Sequence, residues 1–293
     1  MRYEHQTAKL TRKLTGMPYT QALQMARGGD TERDRPVPDA LTADQRAFEA
    51  RLAFALIEAF PEHLQPHGYP WGIASVRADT DGLDIHPAPA ATAYLLGALV
   101  PCHDRQYGGV RGASGTRVTI SDGWWILHDL QTAAKVRVAA PASADPRRGR
   151  NEASPRSRRY ITAARLTREE RRDLGHIERI ARSKPGGWLA HRNILGSRLL
   201  RRPGLVQLLA QAHGNANIYS HASMDVVLEW CCGDTSDQIS RACHNAGLTA
   251  DLAGEPLPGT TINRRSDFAT TVQIGQAKLY LRQNTWICID GTP

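Results

Sequence analysis

The sequence predicts an α+β protein: two small α+β bodies, each a helix plus an antiparallel strand meander, flank a basic helical segment and follow an N-terminal helical hairpin. Three observations carry that reading. Helical periodicity and strict apolar/polar alternation follow one another in two separate stretches, residues 42–140 and 215–293. Glycine and proline breaks divide residues 161–214 into short helix-length pieces. The surplus positive charge lies wholly between them: residues 141–204 hold 17 Arg and Lys against 6 Asp and Glu, residues 1–140 hold 15 of each, and residues 205–293 hold 5 against 8.

Residues 1–29 read as the hairpin. Ala8, Leu10 and Leu14 mark a first helix, Gly16 is placed to cap it, and Pro18 opens a second through Ala22, Leu23 and Ala26. Helices this short need a surface to dock on, either the rest of the chain or a partner. Residues 30–41, with Pro36 and Pro38 among alternating charges, read as a linker. In the first body, residues 42–140, Thr42-Ala43-Asp44-Gln45 has capping-box spacing, and Phe48, Leu52, Ala55, Leu56 and Ala59 then recur on one face of a helix. A hairpin follows over Trp71–Ala78 and Leu83–His86 around Asp81-Gly82, then an apolar helix over Ala90–Val100 ending at His103-Asp104. The glycine-rich stretch from Tyr107 to Gly115 reads as a flexible loop. Strands are expected at 118–120, 124–128 and 135–138, with a turn at Asp122-Gly123.

Residues 141–160 have no apolar period and predict a mobile basic arm. Residues 161–214 form the Arg-rich helical segment. Thr167-Arg168-Glu169-Glu170 repeats the capping-box spacing ahead of a Leu174, Ile177, Ala181 stripe. Trp188–Arg201 is a second helix with Trp188, Leu195 and Leu199, and Leu205–Ala212 a third. The second body, residues 215–293, has a strand at 224–230, a helix at 234–245 with Gly247 as its C′ residue, and strands near 270–274, 278–281 and 285–290. A shift of 154 superposes Thr116, Val118, Ile120 and Leu127 on Thr270, Val272, Ile274 and Leu281, a hint of duplication.

Composition narrows the class of function. The chain of 293 residues is 41% hydrophobic and 23% charged, ordinary for a globular protein. Its longest nearly apolar run, from Ala88 to Cys102, is broken by Pro89, Gly97 and Pro101 and is too short to span a bilayer. The polar opening residues predict no secretory leader, so a cytoplasmic location is expected, with no membrane partner. The five cysteines read as reduced thiols: Cys231-Cys232 and Cys243-His244 lack the knuckle spacing of a structural zinc site.

The localised charge predicts binding to a polyanion, because guanidinium groups match phosphates bidentately. Arg147, Arg148, Arg150, Arg156, Arg158 and Arg159 of the arm are expected to neutralise phosphates without sequence preference. Arg165, Arg168, Arg171, Arg172, Arg179, Arg182, Lys184, Arg192, Asn193, Arg198, Arg201 and Arg202 add a helical surface that could enter a major groove. Nucleic acid is the expected partner, duplex DNA ahead of RNA because no aromatic RNA-binding motif is present. The function expected is therefore non-enzymatic, regulatory or accessory, for instance to a mobile element. No cofactor is expected and the oligomeric state is open.

Two other classes compete. One is a protein-interaction module that docks a partner through the N-terminal hairpin and binds an acidic surface. The other is a metal-dependent nuclease built from the fragments Asp84/His86, His103-Asp104 and His128-Asp129, although no His-Glu-x-x-His, P-loop or nucleophile elbow occurs. Trp124-Trp125 on one strand must face opposite ways, so that one ring is left to cover the sheet or to stack on a base.

Overall fold

The computed structural model describes residues 2–28, 36–59, 69–104, 109–144, 158–205, 216–220, 225–230, 233–249, 261–266 and 269–283. They form helices and three sheets of antiparallel and mixed strands, an α+β fold. Among them no helix is long and apolar enough to cross a membrane.

The hairpin consists of α1 (Arg2–Thr15) and α2 (Tyr19–Gly28). Gly16 ends α1 with φ +75°, its N–H donating to Arg12 O at 2.8 Å. Only glycine fits there, since a Cβ would lie 2.2 Å from the carbonyl oxygen of Ala74. Ala8, Met17 and Ala22 make a small cluster of their own, while Leu14 enters the main core. The body of the chain thus supplies the surface these short helices require. The stretch after Arg35, at the end of the expected linker, is packed as well: Val37 and Ala40 are buried and Pro36 O accepts from Thr11 Oγ1.

In α3 (Ala43–Ala59) half of the expected capping box forms, Thr42 Oγ1 accepting the Gln45 N–H at 3.1 Å. The Gln45 side chain does not reach back. It bonds to Glu49 Oε1 and to both backbone groups of Lys135, tying the helix to the sheet. Strands β1 (Ile73–Ala78) and β2 (Leu83–Pro87) precede α4 (Thr92–Leu99). His103-Asp104, expected at a helix end, belongs instead to β3 (Cys102–Asp104), because Pro101 stops the helix and the next residues pair with β4 (Gly109–Arg111) and β8 (Arg158–Tyr160). Part of the glycine-rich stretch is therefore a strand. β5 (Thr116–Ser121), β6 (Trp124–Asp129) and β7 (Lys135–Ala139) complete the meander. Asp122 and Gly123, both at positive φ, make its first turn in the geometry that two-residue hairpins favour.

Beyond β8 lie α5 (Arg168–Arg182) and α6 (Trp188–Arg201). The box at Thr167 forms in full, with reciprocal bonds to Glu170. The expected third helix lies outside the described residues from position 206 onward, as does the strand near 285–290. The rest comprises β9 (Ala216–Ser220), β10 (Val226–Trp230), α7 (Ser236–Asn245), β11 (Thr261–Ser266), β12 (Ala269–Ile274) and β13 (Ala277–Gln283). β9 and β11 are strands that the sequence pattern does not announce.

The two large sheets repeat one topology. The first has the order β1-β2-β7-β6-β5 and the second β9-β10-β13-β12-β11. In each, the second strand pairs parallel with the last and all other pairings are antiparallel. A helix follows the second strand in both, α4 in one and α7 in the other, and a long helix, α3 or α6, precedes the unit. The shift of 154 lays β5 over β12, one strand out of step with this correspondence. α3 and α6 pack on each other, α3 also touching β7 and β9 and α6 touching β1, β12 and β13. One continuous apolar core consequently runs from Leu14 through both sheets to Leu281.

Arg198, Arg201 and Arg202 of α6, expected among the phosphate contacts, point into this core with no more than 1% of their surface exposed. The reason is local charge balance. Arg201 spends all five of its donors, on both oxygens of Glu49 and on the carbonyls of Pro38, Asp79 and Gly82. Arg198 holds Asp39 and the Leu248 carbonyl, and Arg202 holds the carbonyls of Ala246 and Val37. These arginines stitch residues 37–39, the β1–β2 turn and the end of α7 to one helix. Burial alone would raise the Asp39 pKa, but Arg202 and Arg198 outweigh it and hold the carboxyl below its ordinary 3.8. A carboxyl depressed in the folded state contributes stability that is complete above its unfolded value and disappears as pH falls through the folded one. Glu170 behaves alike below its ordinary 4.5: burial is outweighed by Arg117 and the N–H groups of Thr167 and Gly115. Urea unfolding should therefore show a stability loss that steepens as pH falls below about 4.5, and less steeply in Asp39→Asn.

Candidate nucleic-acid interface

α5 carries the exposed part of the basic block. Its capping box starts the helix, Glu170 anchors it by accepting the Gly115 N–H and a bidentate pair from Arg117, and Asp173 accepts from Ser114 Oγ. Leu174, Ile177, Ile180 and Ala181 are half-buried. At about 100° per residue, Arg168, Arg171, Arg172, Arg179 and Arg182 then all fall within an arc of roughly 100°. All five are exposed. Glu178, at the edge of the arc, approaches Arg182 at 3.9 Å, an exposed pair of little strength. Arg171 donates to Leu166 O, and Arg168, Arg172 and Arg179 have no ion pair among the described residues. The stripe is about 21 Å long at 1.5 Å per residue.

The other expected contacts separate into three groups. Arg159, on β8, and Arg165, just before α5, are exposed, and half-buried Lys184 stands 5.6 Å from the Trp188 ring. Arg147, Arg148, Arg150 and Arg156 lie outside the described residues, and of Arg158 only the backbone, in β8, is described. Within α6, Arg198, Arg201 and Arg202 are internal, Arg192 is 3% exposed against Phe54, and Asn193 is half-buried. None of these four arginines is placed to touch a polyanion. The α6 surface thus drops out and α5 remains.

A second region lies on the solvent face of the first sheet. Asp84 and His86 do share a face of β2, and Trp124 lies on that same face while Trp125 is in the core. With Arg77, Arg137 and residues of α2 they line a cavity of about 470 Å³. Arg137 grips Asp84 through bonds of 2.5 and 2.6 Å and lies 4.8 Å from the Trp124 ring centre. Burial pushes the His86 pKa below its ordinary value, and Arg137 and Arg77 push the same way against Asp84. Each carboxylate that the nuclease reading requires is engaged by an arginine: Asp84 by Arg137, Asp104 by Arg111 and Asp129 by Arg51. Among the described residues no group of three or more His, Cys, Asp or Glu could hold a metal ion. Cys102 and Cys243 are buried thiols outside any disulfide, and burial lifts Cys243 to about 12.

No protein-family model, curated protein or solved structure shows significant similarity to this chain.

Proposed function

We propose that the protein binds duplex nucleic acid, DNA in preference to RNA, in a non-enzymatic regulatory or accessory role, and that α5 is the element that meets the phosphates. The observation that carries this reading is the gathering of five exposed arginines on one narrow face of a helix whose opposite side is fastened to the body. A face selected for solubility would serve as well with mixed signs. A stripe about 21 Å long spans roughly six base-pair rises of 3.4 Å, so that its arginines can follow one phosphate strand or the mouth of a groove. Arg165 and Lys184, just before and just after α5, extend the same positive region.

Fluorescence anisotropy with an unrelated 20-base-pair duplex tests the proposal. Five neutralised phosphates correspond to a slope of log K against log salt of about −4.5. The triple reversal Arg168→Glu, Arg172→Glu, Arg179→Glu should weaken binding by roughly a hundredfold or more and bring the slope to about −2. All three side chains are exposed and lack ion pairs among the described residues, so the far-ultraviolet spectrum should be unchanged. Absence of binding by the native protein at about 50 mM salt would sink the reading.

A further inference from the structure

A smaller cavity, of about 120 Å³, lies between α3, α5, α6 and the turn at residues 112–114. Arg192 lines it. The residue is 3% exposed, its guanidinium carbon lies 3.4 Å from the centre of the Phe54 ring, and its buried Nε has no hydrogen-bond partner. No ion pair to it exists among the described residues, Asp225 acting on it only at longer range. Burial, which that carboxylate only partly offsets, brings its pKa down to about 10, so it is still a cation at neutral pH. An unpaired buried charge is among the most costly features a fold can carry, and native proteins keep one where an ion, water or ligand completes it. The neighbouring arginines of α6 show what completion looks like: Arg201 has every donor satisfied, whereas the Arg192 side chain makes no hydrogen bond among the described residues and lines an open volume.

We propose that this cavity binds a small molecule through its carboxylate group, with Arg192 as the anchor. A guanidinium edge presents parallel N–H donors matched to the two oxygens of a planar carboxylate. A volume of about 120 Å³ is enough for a ligand the size of acetate or glycine. The remaining polar lining selects the charge. Arg51 is engaged by Asp129, Ser114 donates to Asp173, and the exposed carboxylates of Glu58 and Asp173 border the cavity beside His176. Two carboxylates on the wall oppose a dianion such as phosphate but tolerate a monoanion, and they favour one that carries an ammonium group at its other end. The site is separate from the phosphate-binding stripe, since its anchor belongs to α6 and faces the interior.

Calorimetry on the full chain at pH 7, with sodium acetate, glycine or inorganic phosphate titrated at constant ionic strength in chloride, tests the assignment. Acetate or glycine should give saturable binding, and phosphate none. Arg192→Met keeps an unbranched stem against Phe54 and should weaken carboxylate binding at least tenfold. Ala55→Leu leaves every charge in place and fills the cavity, and should do the same if Arg192→Met does not fold. Binding retained in either variant, phosphate bound as well as acetate, or no saturable response of the native protein to either carboxylate would overturn it.

Discussion

Glu49→Ala should lower the stability of the folded chain by about 3–5 kcal/mol, the usual cost of removing one partner from a buried ion pair. Neither Glu49 nor Arg201 has any exposed side-chain surface, and the pair is bidentate with both bonds at 2.7 Å. Removing the carboxylate strips Arg201 of two bonds in a place that water cannot reach. It also leaves Ser197 Oγ, which donates to Glu49 at 2.6 Å, and Gln45 Nε2 each one acceptor short. Thermal unfolding should show a midpoint lower by on the order of 10 °C. Glu49→Gln, which keeps an acceptor for Arg201 and loses the charge, should fall between. The double replacement Glu49→Met, Arg201→Met separates pairing from desolvation: with both charges gone the apolar surroundings can close up, and stability should recover beyond that of Glu49→Ala. A double variant no better than the single one would mean that the carbonyls of Pro38, Asp79 and Gly82, orphaned without Arg201, dominate the balance.

The same cluster accounts for the part of the basic block that the sequence pattern places at the surface and the structure buries, Arg198, Arg201 and Arg202. Local signals are reliable where a residue's structural role is set by near neighbours: the capping box at Thr167, the Asp122-Gly123 turn and the glycine after α1 all take the geometry that their residue types demand. The burial of Arg198, Arg201 and Arg202 is set instead by Asp39 and Glu49, about 150 to 160 positions earlier in the chain, and no window of sequence contains both halves. A local warning was nonetheless present. On a helical projection Ile194 falls between Arg198 and Arg201, away from the Trp188, Leu195, Leu199 stripe, and Leu200 lies across the helix from these arginines, so α6 has no wholly polar face. A helix apolar on every side is a buried one, whatever its charge. α5 has the opposite signature, with arginines on one side and Leu174, Ile177 and Ala181 on the other, and it is the helix that stays at the surface. β11, with the sequence Thr-Ile-Asn-Arg-Arg-Ser, escapes notice because it is an edge strand outside β12 with little apolar alternation. The cavity at Arg192 had no sequence signal at all, since its walls come from three helices and a turn.

Gly196→Val should be the other severely damaging substitution, at about 3 kcal/mol, because it drives apart the two helices on which both sheets rest. A Cβ at position 196 would lie 2.8 Å from Ala50 Cβ, 2.9 Å from Ala50 Cα and 2.9 Å from Phe54 Cε2. Two of those atoms belong to the α3 backbone or sit directly on it, so relief requires the helix axes to separate, and overpacking of this kind typically costs about 1–3 kcal/mol before the poor fit of a β-branched residue is added. The loss would be felt at both ends. α3 contacts β7 and β9, α6 contacts β1 and β13, and the twofold repetition of the sheet unit brings the preceding helices together at this one close approach. Gly175→Ala provides the contrast within the same chain. Gly175 is interior to α5, its Cβ would meet only the Arg179 guanidinium at 3.7 Å, and the substitution should stabilise by up to about 1 kcal/mol through helix propensity alone. Urea midpoints of the two variants should therefore move in opposite directions. An unchanged midpoint for Gly196→Val would show that α3 and α6 do not pack at this distance, and with them the continuous core that joins the two sheets would be lost as an explanation of the fold.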